Sequence, residues 1–572
     1  MGSTFAEMLS ARADDDHPGL LFEDERYTWA EVVAAARLRA GLARRLAAET
    51  AGERGDRPLH VGVLLENVPE YVFWIGAAAL AGATLVGINP TRRGAELATD
   101  IRHTDCDVIV TDTAQAALLE GLDTAVPPTR LLLTDSATYE AHLHPDTTPE
   151  PGSVPAAGPR GGGGPGDGGE GVRPGDRLLL LFTSGSTGAP KAVACSQGRL
   201  ATIGSYGGQF EIGRESVTYI AMPLFHGNAV MANLAMAVAG GATVAMRRRF
   251  SASGFAADVR RYRVTYFNYV GRALAYILAT PERPDDAELP LRVAFGTEAS
   301  AQDMRRFAER FGCRIAEGYG SSEGAIALHK TPETPPDALG VAQRDIEVAV
   351  LDPETGWECA RARFGADGRL LNPDEAIGEL VGLNVAGAFE GYYKNPAADA
   401  ERVRDGRYWS GDLGYRDQAG FFYFAGRGTD RLRVDSENFA AAPVERIVSR
   451  WAPVVMCAVY PVPDPRTGDQ VMAALELDGP FDAEGFATFL REQRDLGTKW
   501  APRFVRVVRD MPLTSTNKVD KRPLRRERWD CGDPVWWRPG REIEYVPLEP
   551  ERAAELHAEF AAYGREHVLI GQ

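Results

Sequence analysis

Thr183 to Lys191, reading TSGSTGAPK, concentrates phosphate-binding chemistry more densely than any other run of this 572-residue chain. Thr183, Ser184, Ser186 and Thr187 supply hydroxyl donors, Gly185 and Gly188 let successive backbone N–H groups turn toward one ligand, and Lys191 adds a fixed positive charge. A plain Gly/Ser turn shares part of this composition. The full string exceeds what a turn needs, and the GxxxxGK[ST] pattern of nucleotide-binding P-loops is absent. A second run, Glu317 to Glu323 (EGYGSSE), offers the ring of Tyr319, the hydroxyls of Ser321 and Ser322, and the carboxylate of Glu323. One carboxylate beside phosphate oxygens suits Mg2+, whereas the alternative for these serines is the cap of a helix. Asp412, in YWSGDLGYRD, is expected in a tight turn, where a carboxylate can accept two hydrogen bonds from a ribose diol. Arg427 follows fifteen residues later, and Lys518 lies in PLTSTNKVDKRPL. A lysine in such a basic loop is ordinarily a solvated one.

Taken together and in this order, TSGSTGAPK, EGYGSSE, the Asp412 and Arg427 pair, and the late lysine resemble the adenylate-forming superfamily of acyl-CoA synthetases, peptide-synthetase adenylation domains and luciferases. The resemblance implies ATP and Mg2+ as partners of the reaction, with CoA as co-substrate. It implies that residues 183–188 and Lys191 hold the phosphates, that Tyr319 lies against adenine, and that Ser321 or Ser322 meets the α-phosphate or acyl group. Thr183 and Glu323 would hold the metal, and Asp412 and Arg427 the ribose. Glu298, in FGTEA, would sit where a strand end lines adenine and acyl pocket. Lys518 would serve adenylation, and the Arg433 to Asn438 loop the second half-reaction, after the small domain rotates about Gly428 to Asp430 with Thr429 as pivot. PLFHGNA, the segment FNYVGRALAYIL read as a helix, and the long C-terminal extension are most similar to long-chain and transport-protein-like fatty acyl-CoA synthetases, which would place His226 at the mouth of an acyl tunnel. A histidine after a strand is otherwise a satisfied structural residue.

Three positions depart from that pattern. Asn517 replaces the glycine before the late lysine, and asparagine tolerates positive φ. Ser436 replaces a glycine past which the arm of CoA would run. Arg272 puts a cation into an apolar segment, where it is expected to pair with a surface carboxylate; facing a pocket instead, it would favour a small polar anion over a fatty tail. Ser436 and Arg272 keep a second activity open, an ATP-dependent diazotase that activates nitrite for attack by an aryl amine. A third reading is a nucleotide-binding protein without turnover, against which Lys191, Glu323, Asp412, Arg427 and Lys518 all stand.

The elements that must position these residues read as an α/β chain. Leu178 to Phe182 and Val61 to Leu65 have the bulk of buried strands, Tyr71 to Ile88 reads as a buried helix feeding a strand, and Tyr27 to Leu46 has the composition of a surface helix. The length implies more than one core. From the resemblance, a large multi-subdomain N-terminal domain spans 1–428 and a small mobile α+β domain spans 429–572. Residues 145–176 carry too much Pro and Gly for a core and read as a flexible surface insertion. The formal charge of −17 disfavours a nonspecific nucleic-acid partner. The six cysteines, at 106, 195, 313, 359, 457 and 531, show no disulfide or zinc spacing. With no secretory signal pattern, the expected location is cytoplasmic, with membrane contact at most peripheral and a small-molecule acid, or nitrite and amine, as substrate.

Overall fold

The computed structural model describes residues 3–144, 171–182, 191–270, 273–297, 299, 301–344, 346–365, 370–384, 389–427, 431–434, 437–465, 468–493, 495–497, 499–514, 518–540, 542–563 and 565–570. Most of the expected insertion lies outside them, as do residues 183–190, Glu298, Arg272, Ser436, Asn517 and the hinge 428–430. The described chain forms two compact units, 1–324 with 386–401, and 325–385 with 402–572. These compact units divide the chain elsewhere than the boundary expected at 428/429.

The first unit is built on two sheets. Its strands are β1 (Pro18–Phe22), β2 (Glu25–Thr28), β3 (His60–Leu64), β4 (Thr84–Gly87), β5 (Val108–Thr111), β6 (Leu131–Leu133), β7 (Arg177–Phe182), β8 (Ala192–Ser196), β9 (Val217–Ile220), β10 (Thr243–Met246), β11 (Tyr266–Val270), β12 (Val293–Thr297) and β13 (Arg314–Gly320). One sheet runs β6-β5-β3-β4-β7-β8 and the other β13-β12-β11-β9-β10-β1-β2. Each is parallel except at one edge, where β7 pairs with β8 and β1 with β2 antiparallel. Parallel strands buried on both faces are apolar along their whole length rather than alternating. Accordingly every residue of β3, β4, β5, β10 and β11 is buried. Among the described residues no helix is long and apolar enough to cross a membrane.

Helices take their boundaries from signals legible in the sequence. Thr28 caps Trp29–Glu49 through a reciprocal capping box with Glu31. The helix therefore begins after Tyr27, which belongs to β2. Nor is it simply a surface helix, since Trp29, Val32, Val33, Ala36 and Ala40 are buried. Pro69 opens the next helix, Pro69–Ala81, and Gly82 closes it in the left-handed region at φ 66°. The segment FNYVGRALAYIL is not one helix: its first part is β11, and a helix resumes at Ala273–Leu278. The aromatic run YFNYV fits a central strand, with neighbours β9 and β12 on either side.

The second unit contains β14 (Ala327–His329), β15 (Val341–Ala342), β16 (Val348–Leu351), β17 (Gly378–Gly382), β18 (Val403–Arg404), β19 (Arg407–Arg416), β20 (Phe422–Arg427), β21 (Arg431–Val434), β22 (Glu437–Ala440), β23 (Val454–Pro463), β24 (Asp469–Leu477), β25 (Phe504–Val507), β26 (Val535–Trp537) and β27 (Val546–Pro547). One sheet runs β16-β17-β19-β18 with β20 on β19, and another runs β23-β24-β25-β26-β27. The segment expected as the Arg433 to Asn438 loop is a hairpin, with Arg433 opposite Asn438 across β21 and β22.

All six cysteines are free. Burial pushes Cys106, Cys195 and Cys313 up to about 12, Cys359 up to about 11, and Cys457 and Cys531 upward as well.

Gly76 sits at a close approach between helices of the first unit. A Cβ there would lie 2.8 Å from Ala36 Cβ and 2.9 Å from a Leu9 methyl. Gly76→Val should destabilise the protein by about 1–3 kcal/mol, the usual cost of overpacking a filled core. Urea denaturation checks this, and an unchanged midpoint would refute the tight packing.

Candidate active site

β7 and β8 set the first part of the site. Their ladder pairs Phe182 with Ala192, so Lys191 returns to the mouth of the strand that carries the chain into 183–190. Thr183, Ser184, Gly185, Ser186, Thr187 and Gly188, expected to hold phosphate, themselves lie outside the described residues. Lys191 Nζ stands 5.8 Å from the centroid of the Tyr392 ring and 3.2 Å from Glu401 Oε2. The hydroxyl of Tyr392 donates to Glu323 Oε1 at 2.7 Å. Glu323 is buried, and its other oxygen has no hydrogen-bond partner among the described residues. The lysine and the glutamate, 132 positions apart in sequence, are thus joined through one tyrosine.

Ser321 to Gly324 form a turn, with the N–H of Gly324 donating to the Ser321 carbonyl at 3.0 Å. This answers the helix-cap alternative, because no helix begins here. Arg199 donates to the Ser322 carbonyl and, at 3.1 Å, to that of Ala194 on β8. Gly324 sits at φ 74°, and a Cβ there would lie 2.4 Å from the Arg199 guanidinium. Only glycine allows both the turn and its arginine brace. Tyr319 lies on β13, and Glu317 beside it accepts from the N–H of Ala299 at 3.3 Å, tying FGTEA to EGYGSSE. Glu298 lies outside the described residues.

His226 precedes the short helix Gly227–Ala229, half-buried against Phe225 with ring centroids 4.4 Å apart. At its neighbour Gly227 a Cβ would lie 3.2 Å from Ser322 Oγ. The PLFHGNA segment therefore packs on the SSE turn.

In the second unit Asp412 lies within β19, not in a tight turn. Its register partner across the ladder is Arg427 on β20. The fifteen-residue spacing is the length of an antiparallel return, which brings the two expected ribose ligands to one rung. Gly411, at φ 76°, still kinks the strand just before Asp412, and its N–H donates to Glu379 Oε1 at 2.6 Å. Burial raises the Glu379 carboxyl above the usual carboxylate range, opposed by that N–H and by Arg404. Lys518 closes a short hairpin: Thr514 N–H donates to its carbonyl at 2.7 Å, and its own N–H donates to Thr514 Oγ1 at 3.2 Å. Lys521 nearby pairs with Glu445 at 2.7 Å.

Ligands of open parallel sheets bind at the carboxyl ends of the strands. The residues after β7, β9 and β12 and at the end of β13 obey this. A hollow of about 790 Å3, ringed by Arg26, Arg261, Arg263 and Arg292, opens at the other ends of β9 to β12 and is not this site.

Residues 9–393 match the AMP-binding enzyme family, and residues 443–518 match the AMP-binding enzyme C-terminal domain. The chain belongs to the AMP-binding enzymes. Within the family it is 51% identical over 572 residues to the Steroid-22-oyl-CoA synthetase of Rhodococcus jostii strain RHA1, covering 99% of both chains. It is 44% identical to the medium/long-chain-fatty-acid–CoA ligase FadD17 of Mycobacterium marinum, over 93% of this chain and 98% of that one. Among solved structures, the anthranilate CoA ligase AuaEII in complex with anthranoyl-AMP shares the fold at a TM-score of 0.75 and 20% identity, covering 92% of this chain and 98% of that one. This AMP-binding enzyme therefore has the expected α/β architecture of a large N-terminal and a small C-terminal domain.

Tyr392 and Glu401 were not singled out in the sequence. The available signal was GYYKNP, two tyrosines behind a glycine; Gly391 takes φ 87°. Tyr392→Phe removes the donor to a buried carboxylate and should cost about 1–3 kcal/mol. Thermal unfolding of the ligand-free protein measures it, and an unchanged melting temperature would mean that Glu323 does not depend on Tyr392.

Proposed function

We propose that this AMP-binding enzyme is an ATP-dependent, AMP-forming acid–CoA ligase acting on large apolar carboxylic acids, of the fatty or steroid side-chain class. The observation that carries the reading is the 51% identity across 99% of both chains with a protein named for steroid-22-oyl-CoA synthesis. The fatty-acid–CoA ligase name of the next relative supports the same class. Neither name supports nitrite activation, and Ser436 and Arg272, which had kept that alternative open, lie outside the described residues.

In the first half-reaction the carboxylate attacks the α-phosphorus of ATP, forming acyl-adenylate and releasing pyrophosphate. In the second the thiol of CoA attacks the acyl carbon and AMP leaves. Lys191 supplies positive charge beside the phosphates, and its contact with the Tyr392 ring limits the positions it samples. Glu323 fits one Mg2+: a buried carboxylate with one oxygen held by Tyr392, and with no partner for the other among the described residues, could offer that second oxygen to a cation, whose remaining ligands would be phosphate oxygens and water. Bound there, Mg2+ would neutralise phosphate charge. Asp412 and Arg427, register partners across one ladder, are assigned to the ribose. Lys518 is assigned to the charge that builds on phosphorus during adenylation, and the small domain to the rotation between steps.

Acid-dependent ATP–pyrophosphate exchange tests the reading, with palmitate, dodecanoate and a steroid C22 acid as substrates, followed by CoA-dependent thioester formation. Exchange with none of these acids would overturn it. Lys518→Ala should abolish the exchange while leaving thioester formation from preformed acyl-adenylate largely intact, and equal loss of both steps would remove Lys518 from its assigned role.

A further inference from the structure

Next to the site a buried chain of three asparagines links a strand to the PLFHGNA segment. Asn233 and Asn268 are fully buried, and Asn228 is half-buried. Asn233 lies in the π-helical turn Val230–Leu234, a local widening that recurs at functional sites. Its amide nitrogen donates to the Tyr219 carbonyl on β9 at 3.1 Å and to Asn268 Oδ1 at 2.7 Å. The amide nitrogen of Asn268, on β11, donates to Asn228 Oδ1 at 2.6 Å.

This chain has only one sensible polarity. A main-chain carbonyl only accepts, so the Tyr219 carbonyl fixes which end of the Asn233 amide is nitrogen. That nitrogen needs an acceptor at Asn268, which turns the Asn268 nitrogen toward Asn228. Asn228 must then present its oxygen inward and its NH2 outward. This outward NH2 has no partner among the described residues. Asn233 Oδ1 is itself buried without a partner among the described residues, but flipping either buried amide would set acceptors against each other and lose the hydrogen bonds now made.

We infer that the relay from the Tyr219 carbonyl through Asn233 and Asn268 locks Asn228 as a hydrogen-bond donor to an oxygen of the acid substrate, either the carboxylate or an oxygen substituent near it. The inference rests on the ligase reading. It draws on the position of Asn228 directly after Gly227, which packs on Ser322 Oγ, and two residues after His226. Asn228 would be a binding residue, and Asn233 and Asn268 positioning residues.

Two substitutions separate the relay from a structural role. Asn228→Asp keeps the inward acceptor for Asn268 and replaces only the outward donor by an oxygen. Asn268→Asp still accepts from Asn233 but cannot donate, so Asn228 should rotate and turn its oxygen outward with its own identity unchanged. Both should raise KM for the acid about tenfold, the size of one lost hydrogen bond to a charged oxygen, and leave KM for ATP unchanged in acid-dependent pyrophosphate exchange. Dodecanoate and 3-hydroxydodecanoate form the two arms. A rise with both acids assigns the carboxylate, and a rise with the hydroxy acid alone assigns the substituent. Unchanged KM for both acids in a folded Asn228→Asp protein that still exchanges would overturn the relay. Absence of exchange in the unsubstituted protein would instead overturn the ligase reading beneath it. Should Asn268→Asp fail to fold, by its melting curve, the half-buried Asn228→Asp decides alone.

Discussion

A carboxylate withdrawn from water must be satisfied, and the hydrogen bond from Tyr392 to Glu323 is where the first unit meets that demand. Much of the local architecture follows from it. Tyr392 can reach Glu323 only because its segment docks on β8, with Val193 and Tyr392 bridged and the Tyr393 N–H donating to the Ala192 carbonyl at 2.8 Å. The same docking puts the tyrosine ring beside Lys191. One side chain therefore touches both a cation and an anion, Lys191 through its ring and Glu323 through its hydroxyl, while the charge of Lys191 is paired with Glu401.

The turn that carries Glu323 has its own support. Arg199 spans from the β8 carbonyl of Ala194 to the carbonyl of Ser322, so that β8 braces both the lysine and the glutamate arms. Arginine suits this because its planar fork serves two acceptors from one position. The brace presses so closely on Gly324 that a side chain there would displace the guanidinium, which gives that glycine a second reason beyond its positive φ.

Several of these features were legible in the sequence, and the physical reasons differ. The strand before TSGSTGAPK was legible because a strand buried on both faces is apolar throughout. The helix Trp29–Glu49 was read as starting two residues early, at Tyr27, although the capping signal of Thr28 and Glu31 is local chemistry. The fifteen-residue interval between Asp412 and Arg427 suggested a shared role, although the ladder that creates it was read as a turn: Gly411 and two aromatics look the same in a turn and in a kinked strand. The segment FNYVGRALAYIL was misread because a short apolar run is ambiguous between helix and strand, and its neighbours β9 and β12 decide the matter. Tyr392 and the asparagine relay were illegible for another reason. Their partners lie 69, 40 and 35 positions away, and nothing in a tyrosine or an asparagine announces a partner at that distance.

The cysteines acquire a different meaning in a protein that holds an acyl-adenylate. A mixed anhydride acylates whichever thiolate reaches it, and Cys195 lies on β8, four residues from Lys191. With its thiol pushed up to about 12 by burial, it holds far less thiolate at neutral pH than an ordinary cysteine. Burial thus keeps the protein's own sulfur out of competition with the incoming thiol, and self-acylation is suppressed by the same packing that holds the strand in place.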